Sequence, residues 1–359
     1  MINKRVYKQL LTETIVPEML TGEDKAKFYY RLESYVNDNI PQKLYRYRRC
    51  NEYSIDAFYK DELWFSNGMS MNDDFDARLY YDKNAIRKWL EGSKNEDGVI
   101  KVIESIYTGQ KILRGTDEIF GDVSQIGSFI RTLDYRQIQK LSSQLYEDVN
   151  KALNTNMDRI TKTVQGQAKF ACFCERIDSP AMWGHYAESS TGFALEYDFS
   201  GKQTFTYNKA GQCEIYESLF PILYDNNRID ATTLALFLFQ YDFMITQMIN
   251  MGLPLNIQWL TRALPCPDEF MPRKVALIKS KEWAYEKEWR LFYQLSKGYD
   301  SEQHSCIKYT PSAIYLGRNI SDINQKLLVD IAKEKDVPVY RMYIDDKSRK
   351  YRLKWKNLN

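Results

Sequence analysis

The chain has 359 residues, 44% of them apolar, and 50 Lys and Arg stand against 48 Asp and Glu. That length allows one elaborated domain or two, and the apolar share excludes a disordered chain. A net charge of +2 calls for neither a nucleic-acid nor a membrane partner. Six scattered cysteines without a Cys-x-x-Cys pair and only two histidines make a zinc site unexpected, and no metal is assigned.

In chain order, MINKRVYKQLLTETIVPEML lacks the apolar core of a signal peptide, so a reducing, cytoplasmic setting is expected. Residues 4–38 carry helical spacing and read as a helical preface, so residues 1–40 form an N-terminal segment and 41–359 one domain. Lys43 to Arg49 is the first strand, with Leu44, Arg46 and Arg48 on one face and Tyr45 and Tyr47 on the other. Asn51 can cap a helix to Lys60, Glu62 to Ser66 is a short strand, and Asn67-Gly68 turns the chain into the acidic run Asn72-Asp73-Asp74-Phe75-Asp76. Residues 83–165 turn polar and helical in period, the pattern of an insertion.

Phe170 to Phe199 is the stretch around which the rest is arranged. Ala171 to Cys174 is an apolar strand, and Asp178-Ser179-Pro180 opens a short helix with a capping residue and proline just inside. Phe193, Leu195, Tyr197 and Phe199 then alternate with Ala194, Glu196 and Asp198, a strand with one buried face. Phe220 to Asp225 is strand-like. Residues 231–251 form an apolar helix that Gln240, Asp242, Gln247 and Asn250 mark as buried rather than membrane-spanning, inside a second insertion at about 226–272. Trp289 to Tyr293, Ala313 to Leu316, Val337 to Ile344 and Tyr351 to Trp355 are further strands, and Ile320 to Glu334 is an amphipathic helix. Short strands among helices and helical insertions predict an α+β fold with a mixed, split β-sheet core.

Several of these stretches, taken in order, resemble an uncharacterised bacterial domain-of-unknown-function family. They are Tyr45-Arg46-Tyr47, Asn72-Asp73-Asp74-Phe75-Asp76, Cys172-Phe173-Cys174, Met182-Trp183-Gly184-His185-Tyr186, Trp283-x-Tyr285-Glu286-x-Glu288-Trp289-Arg290 and Leu316-Gly317. The family pattern has proline and glutamate where Asp74 and Asp76 stand. It carries no activity with it. Glu286-Lys287-Glu288 is also similar to the Glu-x-Glu of ADP-ribosyltransferases, which implies an ADP-ribosyltransferase-like core, NAD as cofactor and a carboxylate that stabilises an oxocarbenium-like state.

On a strand, Glu286 and Glu288 share a face about 6.5–7 Å apart. The resemblance makes Glu288 the catalytic carboxylate and Glu286 its helper. Arg46 or Arg48 is then the cofactor's cation, and Tyr45, Tyr47, Trp64, Trp183 and Tyr186 are its aromatic walls. The competing reading pairs both glutamates with Lys281, Lys287 or Arg290 on a solvated strand. His185 is a candidate acid or base, with Glu196, Glu288 or Asp74 as partner, or else a buried histidine bonded to backbone. Cys172 is a candidate nucleophile or a core residue. Asn72, Asp73, Asp74 and Asp76 suit either a divalent cation or a capped turn.

The tail offers Arg349, Lys350, Arg352, Lys354 and Lys356 with Tyr351 and Trp355 interleaved. That is either a nucleic-acid strip or an amphipathic edge strand with Tyr351, Leu353 and Trp355 inward. The expectation is an NAD-dependent enzyme that modifies a protein or nucleic-acid target, by analogy a defence or toxin effector. A nucleic-acid binder or metal-dependent nuclease, and a non-catalytic sensor, stand as alternatives.

Overall fold

The structure is a computed structural model that describes residues 2–18, 22–86, 132, 134–201, 204–207, 211–214, 219–250, 266–293 and 306–358. Most of the expected 83–165 insertion before residue 134, and the proline-rich run 251–265, lie outside the described residues.

The preface forms two helices, α1 (Lys4–Glu13), capped by the Asn3 side chain, and α2 (Gly22–Asn37). Tyr7 and Leu11 of α1 and Leu32 and Val36 of α2 are buried in the main core, and the Tyr7 hydroxyl donates to the Pro221 carbonyl at 2.8 Å. Next come β1 (Lys43–Arg48), the Asn51-capped α3 (Glu52–Tyr59), β2 (Glu62–Trp64) and β3 (Ser66–Asn67). Asn67 does not simply turn the chain. Its side chain caps a 3-10 turn at Gly68–Ser70, which leads into the acidic run.

The 33-residue α4 (Tyr135–Gln167) opens with an Asp134 capping box and feeds β4 (Lys169–Cys174), α5 (Pro180–His185) and β5 (Phe193–Asp198). Two short strands follow, β6 (Thr204–Tyr207) and β7 (Gly211–Glu214), and then β8 (Leu219–Pro221) and β9 (Leu223–Asp225). The apolar window is α6 (Thr232–Asn250). Leu153, Met157 and Ile160 of α4 pack with its Ala235 and Phe239, so the two insertions bury each other. No helix of the described residues is long and apolar enough to cross a membrane.

The last part holds α7 (Met271–Ala276), β10 (Ile278–Ser280), a 3-10 turn at Lys281–Glu286, β11 (Glu288–Phe292), β12 (Cys306–Lys308), β13 (Ala313–Leu316), α8 (Asp322–Glu334), β14 (Val339–Tyr343) and β15 (Lys354–Asn357). The fold is α+β. Its main sheet runs β15-β14-β13-β5-β1-β4-β11-β8, with β3 beside β4, and only β13 and β14 pair in parallel, across the α8 connection.

Three expectations change here. β5 has both faces buried rather than one, because both sides of the sheet are covered there: Phe193, Leu195 and Tyr197 enter the main core and Ala194 a second cluster behind the sheet. Phe220 to Asp225 is two strands, not one. The chain breaks at Ile222 and passes from antiparallel pairing with β11 to parallel pairing with β10. The final strand starts at Lys354 rather than Tyr351, and of Tyr351, Leu353 and Trp355 only Leu353, just before the strand, is buried.

Candidate active site

The sheet comes apart between β1 and β4. β1 holds β5 through six residue pairs but meets β4 at one, Tyr45 with Cys174. Beyond it, β4 takes β3 as its neighbour, with Ser66 opposite Phe170. A cavity of about 290 Å³ occupies the gap, lined from β1 by Tyr45 to Arg48 and from β4 by Phe170, Cys172, Phe173 and Cys174. Alternate residues of a strand point to opposite faces. A cavity that touches both Tyr45 and Arg46 therefore passes between the strands.

One wall is a buried charge network. Arg290, on β11, binds Asp76 with both terminal nitrogens at 2.7 and 2.6 Å, Glu288 through Nε at 2.6 Å, and the Ala276 carbonyl at 2.6 Å. Its guanidinium also lies 4.1 Å from the centre of the Phe170 ring. Lys279 of β10 reaches Glu286 at 2.8 Å, Glu288 at 3.4 Å and Asp76 at 3.6 Å, above the Trp283 ring. The parallel β9–β10 ladder sets its position, and Tyr224, opposite Lys279, accepts the Glu288 amide at 2.9 Å. Glu286 closes the row: its second oxygen takes the Tyr186 hydroxyl, which in turn accepts from Asn72 Nδ2 at 3.1 Å.

Two cations and three carboxyls share this wall, and their environments push the two glutamates apart. Burial, then the neighbouring Glu288 charge, raises Glu286 to about 7. Burial also works against Glu288, but Arg290 and Lys279 outweigh it and hold that carboxyl well below its usual range. Of the two glutamates, Glu288 is thus held ionised and Glu286 carries the proton that comes and goes near neutrality.

Glu286 and Glu288 do not sit on one strand as expected. Glu286 ends the 3-10 turn, Lys287 is left-handed at φ 48°, and Glu288 begins β11. The left-handed residue brings both side chains onto the same Lys279 ammonium. The solvated-strand alternative fails as well: both glutamates are buried, and their cations are Lys279 and Arg290, not Lys281 or Lys287.

Tyr45, Tyr47, Tyr186, Arg46 and Arg48 line the cavity as the sequence reading asked. Trp183 does not. It is fully buried in the second core, donates to the Ile177 carbonyl at 2.7 Å and stands edge-on to Tyr47. Trp64 is likewise outside, on β2, with its indole on Glu62. His185 is exposed at the end of α5, 5.9 Å from the Tyr285 ring, away from the cavity and from its expected carboxylate partners. It is not the buried histidine of the alternative either.

Cys172 lines the cavity, but burial pushes its thiol well above the ordinary value. In the acidic run, Asp73 caps the Phe75 amide at 2.9 Å and Asp76 is taken by Arg290, so the two do not converge on a cation. The basic tail is exposed at Arg349, Lys350, Arg352, Lys354 and Lys356, with Arg352 near Asp178 and Lys354 on Asp345.

The residue the sequence reading passed over is Lys279. Its signal was slight, a cation directly after the apolar run Val275-Ala276-Leu277-Ile278. Asn72 and Asp76 were noted for a different role.

Among curated proteins and solved structures, no match was found. Residues 182–291 match the family model described as a protein of unknown function (DUF2971), a stretch that carries Tyr186, Lys279, Glu286, Glu288 and Arg290 but not Asn72, Asp76 or the β1 arginines. The match supports the likeness of this chain to an uncharacterised domain-of-unknown-function family.

Proposed function

We propose that the chain is an enzyme of the ADP-ribosyltransferase type, which breaks the bond between ribose and nicotinamide in NAD and passes the ADP-ribosyl group to a macromolecular nucleophile. The observation that carries this reading is the pair of neighbouring carboxyls on one cavity wall, one held ionised and one titrating near neutrality. Glycosyl transfer uses such a division of labour. As the C1′–N bond breaks, the bonding electrons leave with nicotinamide, which departs neutral and needs no proton. Positive charge then develops on the ribose, and the carboxylate wall offsets it. The acceptor forms the new bond to C1′ and gives up its proton to the ionised form of Glu286.

The Tyr45, Tyr47 and Tyr186 rings provide apolar faces beside this wall. A role in bacterial defence or toxicity belongs to the same proposal by analogy.

The test is release of nicotinamide from NAD by wild type and Glu286→Gln, with candidate protein and nucleic-acid acceptors present. A fall of roughly a hundredfold or more is expected for the loss of one acid–base group. Equal rates remove Glu286 from the reaction. A second reading has its own observation: Tyr351 is 96% exposed and Trp355 44% exposed among the tail cations, rather than turned inward. No turnover in any protein, with salt-sensitive RNA or DNA binding in its place, favours that nucleic-acid strip.

A further inference from the structure

The wall opposite Glu286 holds charge that nothing answers. Arg46 is only 6% exposed; one terminal nitrogen donates to the Trp64 carbonyl at 2.6 Å, and the other, Nη1, is buried with no partner. Arg48, two residues along on the same strand face, has no hydrogen bond or ion pair from its guanidinium among the described residues. The titratable groups that act on them are Tyr197 and Cys172, with Arg48 acting on Arg46 as well, and none of these is a carboxylate. Burial, then the Arg48 charge, brings Arg46 down to about 9, and burial lowers Arg48 too. Two like charges side by side in a desolvated place are costly, and a buried guanidinium nitrogen without a partner is among the rarer features of a folded chain. The carboxyls across the cleft do not relieve them, because Asp76 and Glu288 are matched by Arg290 and Lys279.

We propose that Arg46 and Arg48 form a phosphate site at the floor of the cleft between β1 and β4, and that it takes the phosphate of a small phosphorylated molecule whose other end reaches Glu286. Guanidinium groups recognise phosphate through paired N–H donors, and two of them match its charge. The cleft sets the size: about 290 Å³ is at the lower end of ligand pockets and holds a sugar phosphate or one half of a dinucleotide. The site depends on the two arginines and not on the reaction proposed for Glu286.

The experiment is thermal shift and calorimetric titration of the whole chain with inorganic phosphate, ribose 5-phosphate, ribose and malonate. Phosphate and ribose 5-phosphate are expected to bind and raise the melting temperature, ribose to do neither, and malonate to be weaker than phosphate. Arg48→Gln, at the more open of the two positions, is expected to weaken ribose 5-phosphate roughly tenfold or more, the loss of a charge-assisted hydrogen bond. Arg46→Met removes the orphaned charge. It is expected to leave the melting temperature of the free protein unchanged or higher while abolishing the phosphate shift.

Glu286→Gln is expected to keep the phosphate shift, so this site and the proposed reaction fail separately. No shift with any phosphate probe at millimolar concentration overturns the proposal, as does a shift that survives both arginine variants. A malonate effect equal to that of phosphate overturns the choice of phosphate.

Discussion

Two pairs of cations stand at one cleft, Lys279 with Arg290 behind it on one side and Arg46 with the half-buried Arg48 on the other, and the fold treats them in opposite ways. Arg290 and Lys279 are embraced by Asp76, Glu286 and Glu288, and every charge there has a partner within hydrogen-bond reach. Arg46 and Arg48 have a single backbone carbonyl between them. The first pair is scaffold: Arg290 fixes the acidic run to β11, and Lys279 binds both glutamates. The second pair is a cost that the free protein carries for a partner yet to arrive. A buried ion pair says little about net stability, but removing one of its members says a great deal. That asymmetry gives the sharpest way to break the comparison.

Arg290→Met leaves Asp76 and Glu288 in a desolvated site with only the longer contacts to Lys279, at 3.6 and 3.4 Å. The expected loss is about 3–5 kcal/mol in urea unfolding, the usual cost of breaking a buried pair. Arg46→Met, the same change at the unanswered arginine, is expected to cost nothing. If the two variants lose similar stability, the matched and unmatched descriptions are wrong together.

Next in size is the pH dependence that Glu286 imposes. Its folded pKa is raised from 4.5 to about 7, so the folded chain holds this proton more tightly than the unfolded chain does. The resulting stability is fully present below about pH 4.5, declines as pH rises, and is gone above about 7. Glu288, shifted the other way, loses its contribution only as pH falls below the ordinary carboxylate range, so the two windows do not overlap. Glu286→Gln carries no titrating proton. Wild type should therefore lose stability relative to this variant between pH 4.5 and 7, by a few kcal/mol at most, and run parallel to it above. Parallel curves throughout would mean that Glu286 ionises like any surface glutamate.

How far this site could be read from the sequence divides along the same line. Local signals were sound: Asn51 caps its helix as expected, a cap falls within Asp178-Ser179 at Ser179, β1 and β11 fall where alternation placed them, and β4 falls on the apolar run at Ala171 to Cys174. Tyr45, Arg46, Arg48, Tyr186, Glu286 and Glu288 all came to the cavity. What strand patterning cannot carry is which strands fail to pair, so the gap between β1 and β4 was invisible. The match between Asp76 and Arg290, 214 residues apart in sequence, is a tertiary fact of the same kind. His185 and Trp183 were drawn in by their rarity and their neighbours in sequence, and α5 turns one to solvent and the other into the second core.

The smallest expected effect tests the hydroxyl that links the cleft rim to Glu286. Tyr186 approaches Glu286 as a donor, because its own proton is held more firmly than usual by burial and by the adjacent carboxyl, and Asn72 Nδ2 already donates to its oxygen. A donor favours the ionised carboxyl. Tyr186→Phe removes that donor and leaves the ring, so the midpoint of the Glu286-dependent loss of stability should move above 7, by less than about one pH unit for one hydrogen bond. A midpoint that moves down instead would mean that the hydroxyl accepts the Glu286 proton. The row from Asn72 to Lys279 would then hold Glu286 neutral rather than ready it as a base.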